Sequence, residues 1–132
     1  MWLYKGSEFD PVDIGKYVGF VYIIMNNSLK KGYIGKKLFW FSRTRTVKGK
    51  KKRDKVESDW RTYWSSSEEV KEHVNILGEE SFTREILHLC QNKGTMSYLE
   101  AKLQFEHKVL EFPDMWYNGI INCRVHRTHV KL

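Results

Sequence analysis

Val18-Gly-Phe-Val-Tyr-Ile-Ile-Met25, then Asn26-Asn-Ser28, then Gly32-Tyr-Ile-Gly-Lys-Lys-Leu-Phe39 is the stretch that decides how this chain folds. The first run is β-branched and aromatic, and too short and unpatterned for a helix, so it reads as a strand. Asn-Asn-Ser is turn chemistry, and the run after it is a second strand. The pair predicts a β-hairpin, the antiparallel start of a small sheet.

Working outward, residues 1–17 read as a leader with a turn at Asp10-Pro11. Residues 43–55 hold eight bases and one acid. Such a run repels itself and predicts a mobile, solvated loop, an insertion spanning 43–58. Beyond it Ser66 with Glu69 fits a capping box, Val70, Val74 and Leu77 share one helical face, and Gly78 stops the helix. Phe82 to Leu89 predicts a third strand. The longest helix is expected from about Ser97 to Phe112, closed by Pro113, and 119–132 forms a tail whose start, Asn118 to Val125, could add a last strand. Strands first, then helices with a strand between them, predict an α+β sandwich: about three antiparallel or mixed strands flanked by helices, one domain over 1–132.

Composition bounds the function. Hydrophobic residues make up 41% and aromatics 14%, enough for a packed core. Lys and Arg number 23 against 16 Asp and Glu, and the resulting +7 argues for a polyanionic partner. Cys90 and Cys123 lie outside any CxxC or Cys/His pair and read as reduced thiols. The acidic, polar N-terminus is no signal peptide and no run is long enough to span a membrane, so a cytoplasmic location is expected. Nothing points to a protein partner.

Tyr22 and Tyr33 stand eleven residues apart, in Gly19-Phe-Val-Tyr22-Ile and Tyr33-Ile-Gly35. Arg43 follows eight residues past Gly35, and Glu106 precedes Tyr117-Asn118 by the interval of twelve to the asparagine. In these five positions the chain resembles the GIY-YIG nucleases, above all the free-standing, phage-encoded Seg-like endonucleases, whose Trp60-to-Ser67-like segment it also shares. It departs in placing Gly19 three residues before the tyrosine instead of two, and in a stretched interval between Arg43 and Glu106. The resemblance implies metal-dependent cleavage of DNA, with RNA left open. Tyr22 and Tyr33 would position and deprotonate water, Arg43 would hold the phosphate, Glu106 would bind one Mg²⁺ or Mn²⁺, and Asn118 would brace the site.

The chemistry is consistent with that set. Phosphodiester hydrolysis needs a base, cations for the extra charge and help for the leaving oxygen. An arginine fork suits phosphate, and tyrosine serves as a base only where cations favour phenolate. Two glutamates compete for the metal. At about 100° per residue, Leu99, Leu103 and Leu110 fall within about 60° of Glu106, with Val109 about 60° to its other side. That puts Glu106 in an apolar arc, where a carboxylate is kept because it binds something. Glu100, fourth in Ser97-Tyr-Leu-Glu, reads as a capping-box residue. Nucleic-acid contact is expected from Arg45, Lys48, Lys50, Lys51, Lys52, Arg53 and Lys55, while Trp60, Tyr63 and Trp64 read as core and His126 and His129 as solvated. The rival reading is a non-catalytic basic module that binds DNA or RNA through the same loop.

Overall fold

A computed structural model describes residues 1–132. Seven strands and two α-helices make up the fold: β1 (Trp2–Tyr4), β2 (Ser7–Glu8), β3 (Gly19–Asn26), β4 (Lys31–Leu38), β5 (Trp40–Val47), β6 (Lys50–Glu57), α1 (Glu68–Leu77), β7 (Phe82–Cys90) and α2 (Lys93–Glu106). Five strands form one mixed sheet in the order β2-β1-β7-β3-β4, and β5 and β6 form a separate two-stranded sheet. The α+β expectation holds, with more strands than the three expected. No helix is long and apolar enough to cross a membrane.

The sheet lies between two apolar layers, which explains why β3 lacks an in-out alternation: a strand covered on both faces is apolar throughout. Phe20, Tyr22 and Ile24 join Trp2, Phe39, Trp60, Val70, Val74 and Ile86 on one side. Val21 and Ile34 join Met96, Leu99, Val109 and Trp116 on the other. So α1 covers one face and α2 the other. The β3–β4 hairpin is as expected, with Tyr22 paired to Gly35 and Ile24 to Tyr33. Where β3 meets β7 the register slips between Val21 and Tyr22, leaving Leu87 unpaired opposite them. A bulge of this kind adds local twist and re-aims the neighbouring side chain, here Tyr22.

Four readings change. The leader is not one: β1 pairs in parallel with β7, because Trp2 drops into the core and its indole Nε1 donates to the Trp60 carbonyl at 2.7 Å. The basic run 43–55 is not a mobile loop but a hairpin, Arg43 facing Asp54 and Val47 facing Lys50. Its tight turn at Lys48-Gly49 has φ of +51° and +75°, the two-positive-φ geometry that matches strand twist. The α1 cap is Ser67, one residue later than read, accepting from the Val70 amide. The start of the tail, expected to add a strand from Asn118, adds none; a one-residue bridge to Gly32 comes from Trp116, just before it.

Helix α2 differs most. It begins at Lys93, because the Asn92 side chain accepts from the Thr95 amide at 2.7 Å and caps it there. It ends at Glu106, well before Pro113. Its buried residues are Thr95, Met96, Leu99, Ala101 and Gln104. Relative to Glu100, Met96 and Gln104 lie about 40° to either side, and Leu99 and Ala101 about 100°. Glu100 is thus central to the buried arc, whereas Glu106, about 20° from Leu99 on the same wheel, is the last residue of the helix and its side chain is 56% exposed.

Candidate active site

The site builds up from strand β4, the edge of the main sheet. Its outward peptide groups have no neighbouring strand, so other parts of the chain satisfy them. The Gly32 amide donates to the Met115 carbonyl at 2.9 Å, and the Tyr117 amide returns a bond to the Gly32 carbonyl at 2.8 Å. The buried Asn118 amide grips both sides of Ile34: its Oδ1 accepts from the Ile34 amide at 3.1 Å and its Nδ2 donates to the Ile34 carbonyl at 2.8 Å. Gln104 Nε2, from α2, donates to the same carbonyl at 2.9 Å. Asn118 therefore fixes the backbone between Tyr33 and Gly35 and touches neither tyrosine hydroxyl.

Tyr22 crosses from β3 over Gly35. A Cβ on Gly35 would stand 2.5 Å from the Tyr22 hydroxyl oxygen and 2.7 Å from Cζ, so only glycine leaves the phenol that path. Tyr33 stacks beside it with ring centroids 6.3 Å apart, and Tyr63 meets it edge-on at 6.1 Å. The Tyr33 hydroxyl and Ser66 Oγ share a hydrogen bond of 3.2 Å. Burial pushes the Tyr22 phenol well above the ordinary tyrosine pKa, and the neighbouring Tyr63 and Tyr33 phenols and the Glu100 carboxylate add to the effect. Burial likewise raises Tyr63.

Tyr63 packs against the core as expected and is also a third member of this phenol cluster. No spacing in the sequence separates it from Trp60 and Trp64. Its position is set from β7, where the Arg84 guanidinium lies 4.7 Å from the Trp2 ring centroid and 4.3 Å from that of Trp64. Arg84 Nη1 donates to the carbonyls of Arg61 at 3.2 Å and Tyr63 at 2.8 Å.

Cations and a carboxylate complete the group. Lys37 Nζ lies 4.0 Å from the Tyr63 ring centroid and 2.6 Å from Asp59 Oδ1, whose pKa that bond lowers. Lys36 Nζ donates to Ser97 Oγ at 2.7 Å and stands 3.9 Å from Glu100 Oε1. The Glu100 side chain is only 14% exposed, and burial raises its pKa against the opposing pull of Lys36. An open groove of about 340 Å³ borders these residues, lined by Lys36, Lys37, Lys93, Phe41 and neighbours.

The structure thus brings together Tyr22, Tyr33 and Glu100, braced by Asn118, and leaves two expected members outside. Glu106 is 56% exposed at the last turn of α2, with Lys102 4.0 Å away. Arg43 belongs to the β5–β6 hairpin, where its Nε donates to Asp54 Oδ1 at 2.9 Å. Arg45 reaches Asp54 Oδ2 at 3.0 Å, so one carboxylate holds both forks. Lys37, against the Tyr63 ring, is the cation beside the tyrosines, while Lys36 turns to the other sheet face, toward Ser97 and Glu100. The signal for them was present, two bases directly after Tyr33-Ile-Gly35, and was masked by the family's interval to arginine.

Residues 2–121 match the family model described as "Putative endonuclease segE, GIY-YIG domain". No curated protein and no solved structure matches the chain.

Proposed function

The chain belongs to the GIY-YIG endonuclease family, and from that premise we propose that it cleaves DNA phosphodiesters at the Tyr22–Glu100 site with one divalent cation. The observation that carries this reading is the convergence on Gly35 and Lys36 of a phenol from one sheet face and a half-buried carboxylate from the other. A carboxylate is costly in that position unless it binds a cation.

The donor set fits a single hard ion. Glu100 is a lone carboxylate whose nearest cationic partner stands 3.9 Å off, and no cluster of three His, Cys, Asp or Glu side chains exists. One carboxylate, with water and phosphate oxygens for the rest, is the pattern Mg²⁺ accepts and a caged zinc does not. Glu100 would hold the ion, and when bound it supplies Lewis-acid help to the leaving oxygen.

The remaining work falls to the chain. Lys37 beside Tyr63 and Lys36 beside Glu100 place two ammonium groups at the site and neutralise phosphate oxygens as charge builds. Tyr22, with Tyr33 and Tyr63 around it, orients the attacking water. Its raised pKa keeps the phenol protonated in the free protein, so it accepts a proton only once cations and substrate surround it. Asn118 and Gln104 hold β4 in place, and Arg43 stays on the hairpin, bound to Asp54.

Incubation with supercoiled plasmid, with Mg²⁺, Mn²⁺ or chelator, tests this. The wild type and Glu106→Gln should cut only with metal, and Glu100→Gln should not cut. The reverse pattern would return the metal to the helix end. No cutting with any metal would leave a non-catalytic DNA-binding module.

A further inference from the structure

The β5–β6 hairpin stands away from the body as a two-stranded ribbon with neither face covered: Phe41 to Thr46 is exposed throughout, and so is Lys50 to Arg53. Isolated ribbons are marginal in water unless something packs on them. This one is rooted firmly. Ser58 donates from its amide to the Phe39 carbonyl at 2.8 Å and from its hydroxyl to the Leu38 carbonyl at 2.6 Å. Glu57 Oε1 accepts from the Trp60 indole at 2.9 Å and from Arg61 at 2.7 Å. The ribbon is therefore an arm of fixed direction, continuing from the strand that carries Tyr33, Gly35, Lys36 and Lys37.

Its two faces differ in a way only the register reveals. Ser42 faces Lys55, Thr44 faces Arg53 and Thr46 faces Lys51. That face alternates short hydroxyls on one strand with long cations on the other, and none of the three cations has an acidic partner within ion-pair distance. The opposite face holds Arg43, Arg45, Lys50 and Lys52, but Asp54 occupies both arginines there.

We infer that this ribbon enters the major groove of duplex DNA with the Lys51–Arg53–Lys55 face toward the base edges. The inference rests on the nuclease reading for its substrate class and names which form of nucleic acid the arm fits. The major groove of B-form DNA is about 12 Å wide and admits a two-stranded ribbon, whereas the deep, narrow major groove of A-form RNA does not. Same-face cations repeat every two residues, about 6.8 Å, or about two base-pair steps of 3.4 Å. Short hydroxyls on the partner strand let the backbone approach the groove floor while Arg53 and the lysines reach guanine N7 and O6. The ribbon's seven residue steps extend about 24 Å, so it engages DNA well to one side of the bond being cut.

The test is binding by Glu100→Gln protein, which removes cleavage from the readout, to a duplex DNA, to its single strand and to the same sequence as duplex RNA. Two charge-matched double variants are compared: Lys51→Ser with Arg53→Ser, and Lys50→Ser with Lys52→Ser. Expected is a loss of duplex-DNA affinity about tenfold or more greater for the first pair than for the second. Methyl green, which fills the major groove, should compete, and netropsin in the minor groove should not. Equal losses from the two pairs, undiminished binding to single strands or duplex RNA, or competition by netropsin alone would overturn the inference. Both pairs remove exposed side chains, and circular dichroism verifies that the fold persists. Failure of the nuclease reading shows separately, as a wild-type protein that binds duplex but never cuts.

Discussion

Glu100 is a carboxylate held where its charge is costly. Burial raises its pKa, and Lys36 at 3.9 Å only partly offsets this. A carboxyl with a folded pKa above its unfolded value binds its proton more tightly when folded. Stability is therefore lost as pH climbs from the ordinary carboxylate range to the raised folded value, and stays lost above it. Without metal, Glu100→Gln should melt at a higher temperature than the wild type at neutral pH, with the gap closing in acid where both side chains are neutral. Thermal melts across pH test this; a variant that melts lower at pH 7 would refute it. Cleavage by the wild type should rise with pH as this carboxyl loses its proton, and more metal should move the rise to lower pH, since cation and proton compete for it. Gly35 is the second residue to probe. In Gly35→Ala the new Cβ meets the Tyr22 hydroxyl at 2.5 Å, and overpacking of this kind costs about 1–3 kcal/mol. The expected outcome is a lower denaturation midpoint together with lost cleavage, because relief of the clash displaces Tyr22.

Two elements act as supports, strand β4 and the ribbon. Ile34 on β4 gives its carbonyl to both Asn118 and Gln104, but its amide to Asn118 alone. Asn118→Ala therefore orphans a buried N–H at a cost of about 1–3 kcal/mol, whereas Gln104→Ala leaves the carbonyl still bonded. Chemical denaturation should show the first to be the more destabilising; equal losses would mean that the Ile34 amide finds another partner. In the ribbon, the hydrogen bond from Arg43 is the main reason Asp54 sits below the usual carboxylate range. Asp54→Asn should release Arg43 and Arg45 to phosphate and steepen the salt dependence of DNA binding by up to about 2 units of log–log slope. Arg43→Ala, in turn, should leave affinity and turnover both little changed, because Asp54 already occupies its guanidinium. A large fall in turnover with affinity preserved would restore Arg43 to the catalytic group.

Across the whole molecule the +7 charge is unevenly placed, with eight of the 23 bases between residues 43 and 55. Long-range attraction should thus depend mainly on the arm. Changing Lys50, Lys51, Lys52 and Arg53 together to Ser should flatten the slope of log K against log salt by roughly 2 to 4 units, at about 0.9 per released phosphate contact. Slow metal-dependent cutting at low salt should survive, because none of the four borders Tyr22 or Glu100. An unchanged slope would move the phosphate contacts elsewhere, with Lys93 and the groove beside Lys36 the next candidates.

The sequence by itself determined the central hairpin, the α+β class, the helix at Val70–Val74, the strand at Phe82 and the family, since these depend on local propensity and on ordered motifs. Tyr22 and Tyr33 were legible because strand pairing fixes a short, local register. What only tertiary structure decided were features set by distant partners. Trp2 became part of the core because Trp60 receives its indole, so a leader turned into a strand. Eight bases in one run predict repulsion, yet Asp54 and a rigid root at Ser58 hold them as a ribbon. Glu100 is proposed for the metal in place of Glu106 because Asn92 starts the helix early and Gln104, polar by type, is buried against Ile34. Periodicity alone weighs residues by hydrophobicity; burial weighs them by what the sheet places opposite.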